Sequence, residues 1–510
     1  MGAHERPYYL SMRITERSNP ITERIDAVSS AEMVSLIGAA EREIFGSSWG
    51  QGLFERNFLG RVADLRGHIK EVLSRSDGRL IISGAGTSGR LALHAAAGID
   101  QVVGLMAGGM DAFFRAREGV EDSPQAGARD LDAALNGSGR FVYIGISCGL
   151  SAAYVAGGVA RALERNGTVG VIGFNPTEQA NRRPLPGLAT SFHGLACRLE
   201  EGEGFLLNPI VGPEPITGST RMKGGSATRI LLDLLLRSGP VQQQLVAFQK
   251  LQDLVFKHAD LTQAIEAAAT TLAEDGDIAY LADAHEGLMA ILDASECPPT
   301  FGSQPHHVRV FTEDRFADLL PGFNMQGSRL SDLAALSQPP QALFPVCYTP
   351  RLGWPPGFAG ASLHLPLPVA DFIAALPEAE RATHRSMALK WLLNSFSTCS
   401  FIRAGKVYGN TMVDLRISNL KLWDRAVRIV TELGRVACGE AEAVLVRTVT
   451  GATGKEAPQR ALLVTLASQR ERVVPTAILA AHYGITPDEA RAILRSQPLL
   501  KQNLAVGNDF

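Results

Sequence analysis

The chain has 510 residues, enough for about three domains at roughly 150 residues each, and its 45% hydrophobic and 20% charged residues are ordinary globular usage, which argues against a disordered chain. Mean hydropathy of +0.05 is too low for a multi-span membrane protein, and 49 Lys+Arg against 52 Asp+Glu leave a net charge of -3, so no global basic field points to nucleic acid or a membrane surface. Met1 to Arg17 carries five charges and no apolar core of signal-peptide length, from which cytoplasmic residence is expected.

From Ile25 to about Phe58 apolar residues recur with helical spacing behind a Ser29 or Ser30 cap, with Glu32 in the first turn. Short apolar runs follow at Leu80–Ile82, Val102–Leu105, Phe141–Ile144 and Val169–Ile172, each leading through a small-residue turn into a helix. Strands alternating with helices predict a parallel sheet flanked by helices. Phe141 to Ala160 has no charge and could span a bilayer by length. Its polar middle, Gly145, Ser147, Cys148, Gly149 and Ser151, reads instead as a turn between strand and helix.

A fainter copy of the plan follows at Ile278–Leu281, Val308–Phe311, Ala342–Val346 and Ser362–Leu365, and the closing helices also correspond, Ser226–Leu232 against Ser386–Leu392. After about Leu422 the pattern is helical, with Pro475 opening one helix and Thr486-Pro487-Asp488-Glu489 capping another. The expected architecture is α/β: a helical arm over 1–60, an α/β unit over 61–245, a second over 246–420, and a helical cap over 421–510. The six cysteines lie far apart without a C-x-x-C pair, so they are read as reduced and as no metal knuckle.

Three polar segments could hold a phosphate. Gly84 to Arg90 combines glycines, the hydroxyls of Thr87 and Ser88, and a helix start. The segment also satisfies G-x-G-x-x-G, with Asp111 some way on, so a dinucleotide competes. Gly145 to Ser151 offers hydroxyls again, as does Gly218 to Ser226, and two hydroxyl-rich loops suit a compact sugar phosphate better. Each serine is alternatively a helix cap.

Together these residues resemble the N-acetylmuramic acid 6-phosphate etherases of the sugar isomerase (SIS) domain superfamily and their animal relatives, the glucokinase regulatory proteins. The likeness runs through Thr15–Pro20, Gly84–Arg90, Ala107–Gly109, Glu118–Ser123, Gly218–Gly225, Asp293–Gly302 and Gly405–Asp414. It implies two tandem SIS domains and the duplicated layout, with Asp414–Asn419, looks more like the regulatory proteins. In single-domain etherases D-A-x-E-C-P-P-T follows the phosphate-loop helix. Here the first copy reads His94-Ala95-Ala96-Ala97-Gly98, and the acid reappears only in the second, as Glu296, where the phosphate loop has decayed to Ala282–Leu288. Such complementary loss is expected when a two-fold homodimer site collapses into one site within a monomer.

The family reaction eliminates D-lactate from carbon 3 of N-acetylmuramic acid 6-phosphate and adds water, so two acids in unlike environments are needed. The resemblance implies Glu121 as the carbon 2 base, Glu296 as the acid, and substrate contacts from Gly86, Thr87, Ser88, Glu118, Ser147, Gly149, Ser151 and Lys406. No metal or organic cofactor is implied. Glu118, Glu121 and Asp122 are alternatively a solvated helix start, and Lys406 a surface lysine. Glu296, in an apolar, proline-ended stretch, reads as a buried carboxylate without a partner, for which a raised pKa is natural. His306 and His307 read as loop residues and Cys297 as no nucleophile. Retention of both acids favours a lyase over the alternative, a sugar-phosphate-binding regulator with a sugar kinase as partner. Aldose–ketose isomerisation rests on superfamily membership alone.

Overall fold

The computed structural model describes residues 13–114, 119–282, 284–312, 333, 340–346, 363–451 and 459–505. Five strands, β1 (Arg79–Gly84), β2 (Val102–Met106), β3 (Phe141–Ile146), β4 (Thr168–Ile172) and β5 (Phe205–Leu207), form a parallel sheet in the order β2-β1-β3-β4-β5. The apolar runs of the central strands β1, β3 and β4 are buried on both faces, as a parallel sheet between helices requires. Chain order reverses around β1. Gly84 pairs with Ile146, so β1 and β3 end level and their loops emerge side by side in the crevice where open α/β sheets bind ligands. The uncharged stretch from Phe141 is β3, a turn and the helix Ala153–Glu164, and no described helix is long and apolar enough to cross a membrane.

The second copy is smaller: β6 (Ile278–Ala282), β7 (Val308–Thr312) and β8 (Ala342–Val346) pair in parallel in the order β7-β6-β8. The fourth run does not add a strand among the described residues. Leu363 N–H donates one bond to Pro345 O at 2.7 Å, then Pro366 leads into the helix Leu367–Ala375.

The two closing helices, Lys223–Leu236 and Glu378–Arg403, pack together and are buried almost all round, which fuses the copies through one core. Polar groups in this seam are paired. Arg221 reaches Asp293 at 3.2 Å and Thr398 Oγ1 at 2.6 Å, while Asp293 also accepts from Tyr280, Asn394 and Ser397.

The described N-terminal residues, from Arg13 on, pack into the fold. Ser29 caps the helix Ser30–Arg42 as expected, but Thr15–Pro20 threads back through the fold. Asn19 donates to Glu43 and Pro213 O, and Asn410 donates to Asn19 O at 3.0 Å and accepts from Ser18 and Thr217. Asn410 stands in the hairpin of β9 (Val407–Tyr408) and β10 (Thr411–Met412). From Leu420 the chain is helical, with Pro475 in the first turn of Val473–Tyr483 and a capping box of Thr486 and Glu489.

Candidate functional site

The loop after β1 turns at Gly86, whose φ of +54° favours glycine, and the helix Thr87–Ala96 begins immediately. A Cβ on Gly84 would come within 2.6 Å of the Ser88 carbonyl carbon, so the turn also needs glycine there. The loop after β3 holds Leu150 at φ +50°, an uncommon conformation for a bulky residue, with its side chain fully buried. Ser147 Oγ accepts the N–H groups of Ser151 and Ala152 at 3.0 and 3.1 Å. This is cap chemistry. It leaves the hydroxyl proton to donate elsewhere, so capping and ligand binding are compatible in one residue.

These loops line a cleft of about 500 Å³ with Ser88, Ser147, Gly149, Ser151, Thr220 and Lys421. A second cleft, about 540 Å³, holds Gly86, Arg90, Glu296, Pro299 and Asn419. Ala85 and Glu121 line both, so Glu121 stands between the hydroxyl-rich end and Glu296. Thr87 is buried in the first turn of its helix and is not among the lining residues. Glu118 lies outside the described residues. Of Gly218 to Ser226 only Thr220 faces the cleft, because Arg221 and Lys223 turn into the seam.

Glu296 is not unpartnered, as its sequence context suggests. Arg90 donates to it, and the same guanidinium donates to Phe113 O at 2.9 Å and Ala112 O at 3.0 Å, with both side chains buried. The reason is long-range: the helix after the first copy's phosphate loop packs against the helix Ala284–Phe301 that carries Glu296. Glu121 differs. Asn419 Nδ2 donates to it while Asn419 Oδ1 caps the helix Leu420–Gly434 through Leu422 N. Burial pushes the Glu121 carboxyl up, Lys421 opposes, and Asp122 and Glu296 add to the rise.

Lys406 is not brought to either cleft. Its ammonium lies 2.7 Å from Asp414 Oδ2 and lines neither cleft, because the hairpin turns it toward its own strand end. The lysine that lines the first cleft is Lys421. It follows closely on the Asp414–Asn419 run, but only the cap at Asn419 turns that run back onto Glu121. Cys297 is buried, with its thiol pushed well up by burial and donating to Asp293 O, which suits a packing role. His306 and His307 gather with Asp277, which no sequence spacing indicates. Arg309 already holds Asp277 at 2.6 Å, and the Gln304 N–H donates to His307 Nδ1, so the cluster reads as an ion-paired loop.

Two family models match: the glucokinase regulatory protein N-terminal SIS domain over residues 64–163 and the C-terminal lid domain of glucokinase regulatory protein over 409–504. The glucokinase regulatory protein of Homo sapiens is 28% identical, covering 96% of this chain and 92% of that protein, and that of Xenopus laevis has the same identity and coverage. The N-acetylmuramic acid 6-phosphate etherase of Photorhabdus laumondii is 33% identical over 46% of this chain and 74% of its own length. With its tandem parallel sheets and helical C-terminal region, the chain belongs to the family of N-acetylmuramic acid 6-phosphate etherases and glucokinase regulatory proteins.

Proposed function

We propose that the protein binds a sugar phosphate in the composite cleft and is a regulator, with a sugar kinase as its partner. One observation carries this reading: Asn419 and Lys421, from the region similar to a regulatory-protein lid, meet Ser88, Ser147 and Glu121 around one cleft. The phosphate lies at the hydroxyl-rich end, where Ser88, Ser147, Ser151 and Lys421 supply charge-assisted hydrogen bonds. Glu121 and Glu296 accept from sugar hydroxyls at the other end. Ligand thereby ties the first copy to the lid, and the lid surface reports occupancy to a partner. The near full-length likeness to regulatory proteins supports this over the lyase, whose relatives match about half of the chain.

A second reading, elimination of D-lactate, is favoured by two carboxyls of unlike surroundings on one cleft. A carboxyl pushed up, as Glu121 is, makes a stronger base for the carbon 2 proton. The acid step is less well served, since Glu296 is held by Arg90 instead of being buried alone.

Two assays on the full chain test these readings. Hexose 6-phosphates should slow hydrogen exchange across the lid helices and change the rate of a sugar kinase mixed with the protein. No change in either measurement would sink the regulator. Release of D-lactate from N-acetylmuramic acid 6-phosphate, abolished by Glu296→Gln, would establish the lyase instead.

A further inference from the structure

The duplication implies a counterpart of the cleft on the other side of the seam. Glu286 stands as far past the end of β6 as Ser88 does past β1, Leu288 corresponds in the same way to Arg90, and Gly98 to Glu296. The helices Thr87–Ala96 and Ala284–Phe301 pack on each other, with Leu93 and Ala97 against Leu288 and Ile291. Each has one end at the cleft already described: Arg90 from the first, Glu296 and Pro299 from the second. Their other ends, at His94 and Ala97 and at Glu286 and Leu288, open into a separate cavity of about 860 Å³.

The cavity's chemistry differs from that of the first cleft. Arg229, on the buried helix Lys223–Leu236, lines it while only 6% exposed. Among the described residues it makes no hydrogen bond, and its one ion contact is to Asp233 at 3.8 Å. Asp233 is itself engaged by Arg237 at 2.7 Å. Arg385 and Ser386 line the same space, and the Ser386 hydroxyl lies 3.4 Å from His94 Nε2. Glu286 also lines the cavity and opposes an anion, against the cations of Arg229 and Arg385. A buried guanidinium without hydrogen bonds is costly, and an oxyanion is the ligand whose geometry satisfies its planar fork.

We propose that this cavity is a second ligand site, for a compact phosphate group, held by Arg229 and Arg385 with the Ser386 hydroxyl. The loop at the helix start no longer serves, because Glu286 stands where Ser88 stands in the first copy, and the anion is held by the closing helices instead. The shared chemistry is the phosphate dianion, whether free or as a phosphomonoester.

Equilibrium dialysis of the full chain against radiolabelled inorganic phosphate tests this independently of what the first cleft binds. The unmodified protein should take up two phosphates, and the Ser88→Ala/Lys421→Ala variant should keep one. Adding Arg229→Met to that variant should weaken the remaining site at least tenfold. Arg385→Met, at a half-buried position that the fold tolerates more readily, should weaken it severalfold. Glucose 6-phosphate displacing label from the remaining site would identify a phosphomonoester as ligand, and failure to displace would identify free phosphate. No phosphate bound by the Ser88→Ala/Lys421→Ala variant, or a remaining site indifferent to both arginine substitutions, overturns the proposal. Uptake by the Ser88→Ala/Lys421→Ala variant, with and without Arg385→Met, decides the matter even if Arg229→Met does not fold.

Discussion

The two copies have diverged at opposite ends of the same supersecondary unit. In the first, the strand-to-helix turn keeps Gly84, Gly86 and Ser88, while Gly98 stands where an acid would be. In the second, the turn has lost its glycines and hydroxyls, yet Glu296 survives and is met by Arg90 of the first copy. The difference teaches that selection on a duplicated chain acts on the composite site and not on each copy. Half of each copy is free to change provided the seam keeps its geometry.

The largest expected effect follows from breaking the Arg90–Glu296 contact, which spans this asymmetry. Arg90→Met strands a buried carboxylate and two carbonyls and should cost about 3–5 kcal/mol in urea unfolding. Arg90→Met with Glu296→Gln should recover more than half of that loss. A single variant within about 1 kcal/mol of the unmodified chain would mean that the pair does not hold the copies together.

Next come the groups that the first copy and the lid bring to the cleft. Ser88→Ala and Lys421→Ala should each weaken hexose 6-phosphate binding by about 1.5–3 kcal/mol, roughly ten- to 150-fold, by calorimetric titration. Equal affinity in both variants would make Ser88 a packing residue and Lys421 a bystander.

A smaller effect concerns pH. Glu16 is buried and surrounded by Arg425, Arg428 and Lys421. Desolvation raises its pKa, but the three cations outweigh that and hold the carboxyl far below the usual range. A depressed folded pKa gives stability that is fully present above the unfolded pKa and is lost as pH falls through the folded one. Thermal unfolding should therefore shift to lower temperature on acidification below the ordinary glutamate range, and Glu16→Gln should flatten that slope. An unchanged slope would remove Glu16 as its cause.

The smallest effect contrasts the two lysines. Lys406→Ala removes a partly exposed ion pair with Asp414, which keeps Arg472 at 3.8 Å. It should cost about 1 kcal/mol or less and change ligand affinity less than threefold. A tenfold loss of affinity would restore Lys406 to the site and displace Lys421.

What the sequence reveals about this site is what short stretches encode. Strand β1, the turn at Gly86 and the helix behind it follow from apolar run, glycine and cap within a dozen or so residues, as do β3 and the Ser147 turn. Glu121 and Glu296 stand out by motif. The pairing of Arg90 with Glu296 does not, because it depends on how two helices from different copies cross. Lys421 escapes notice for the same reason, and Lys406, directly after Gly405, looks freer than Asp414 allows. In the second sheet the apolar run at Ser362–Leu365 reads as a strand. Its tertiary surroundings give it one described strand-like bond instead.

The bond between Asn419 and Glu121 joins residues 298 positions apart, and Arg425 meets Glu16 across a still longer interval. During synthesis at about 5–20 residues per second, Glu121 is made roughly 15–60 s before Asn419. Throughout that interval the phosphate loops face solvent, with half of the cleft wall missing. On the proposed reading, nascent chains and fragments ending before the C-terminal helices bind sugar phosphate more weakly than finished molecules, because Lys421 is missing from the cleft wall.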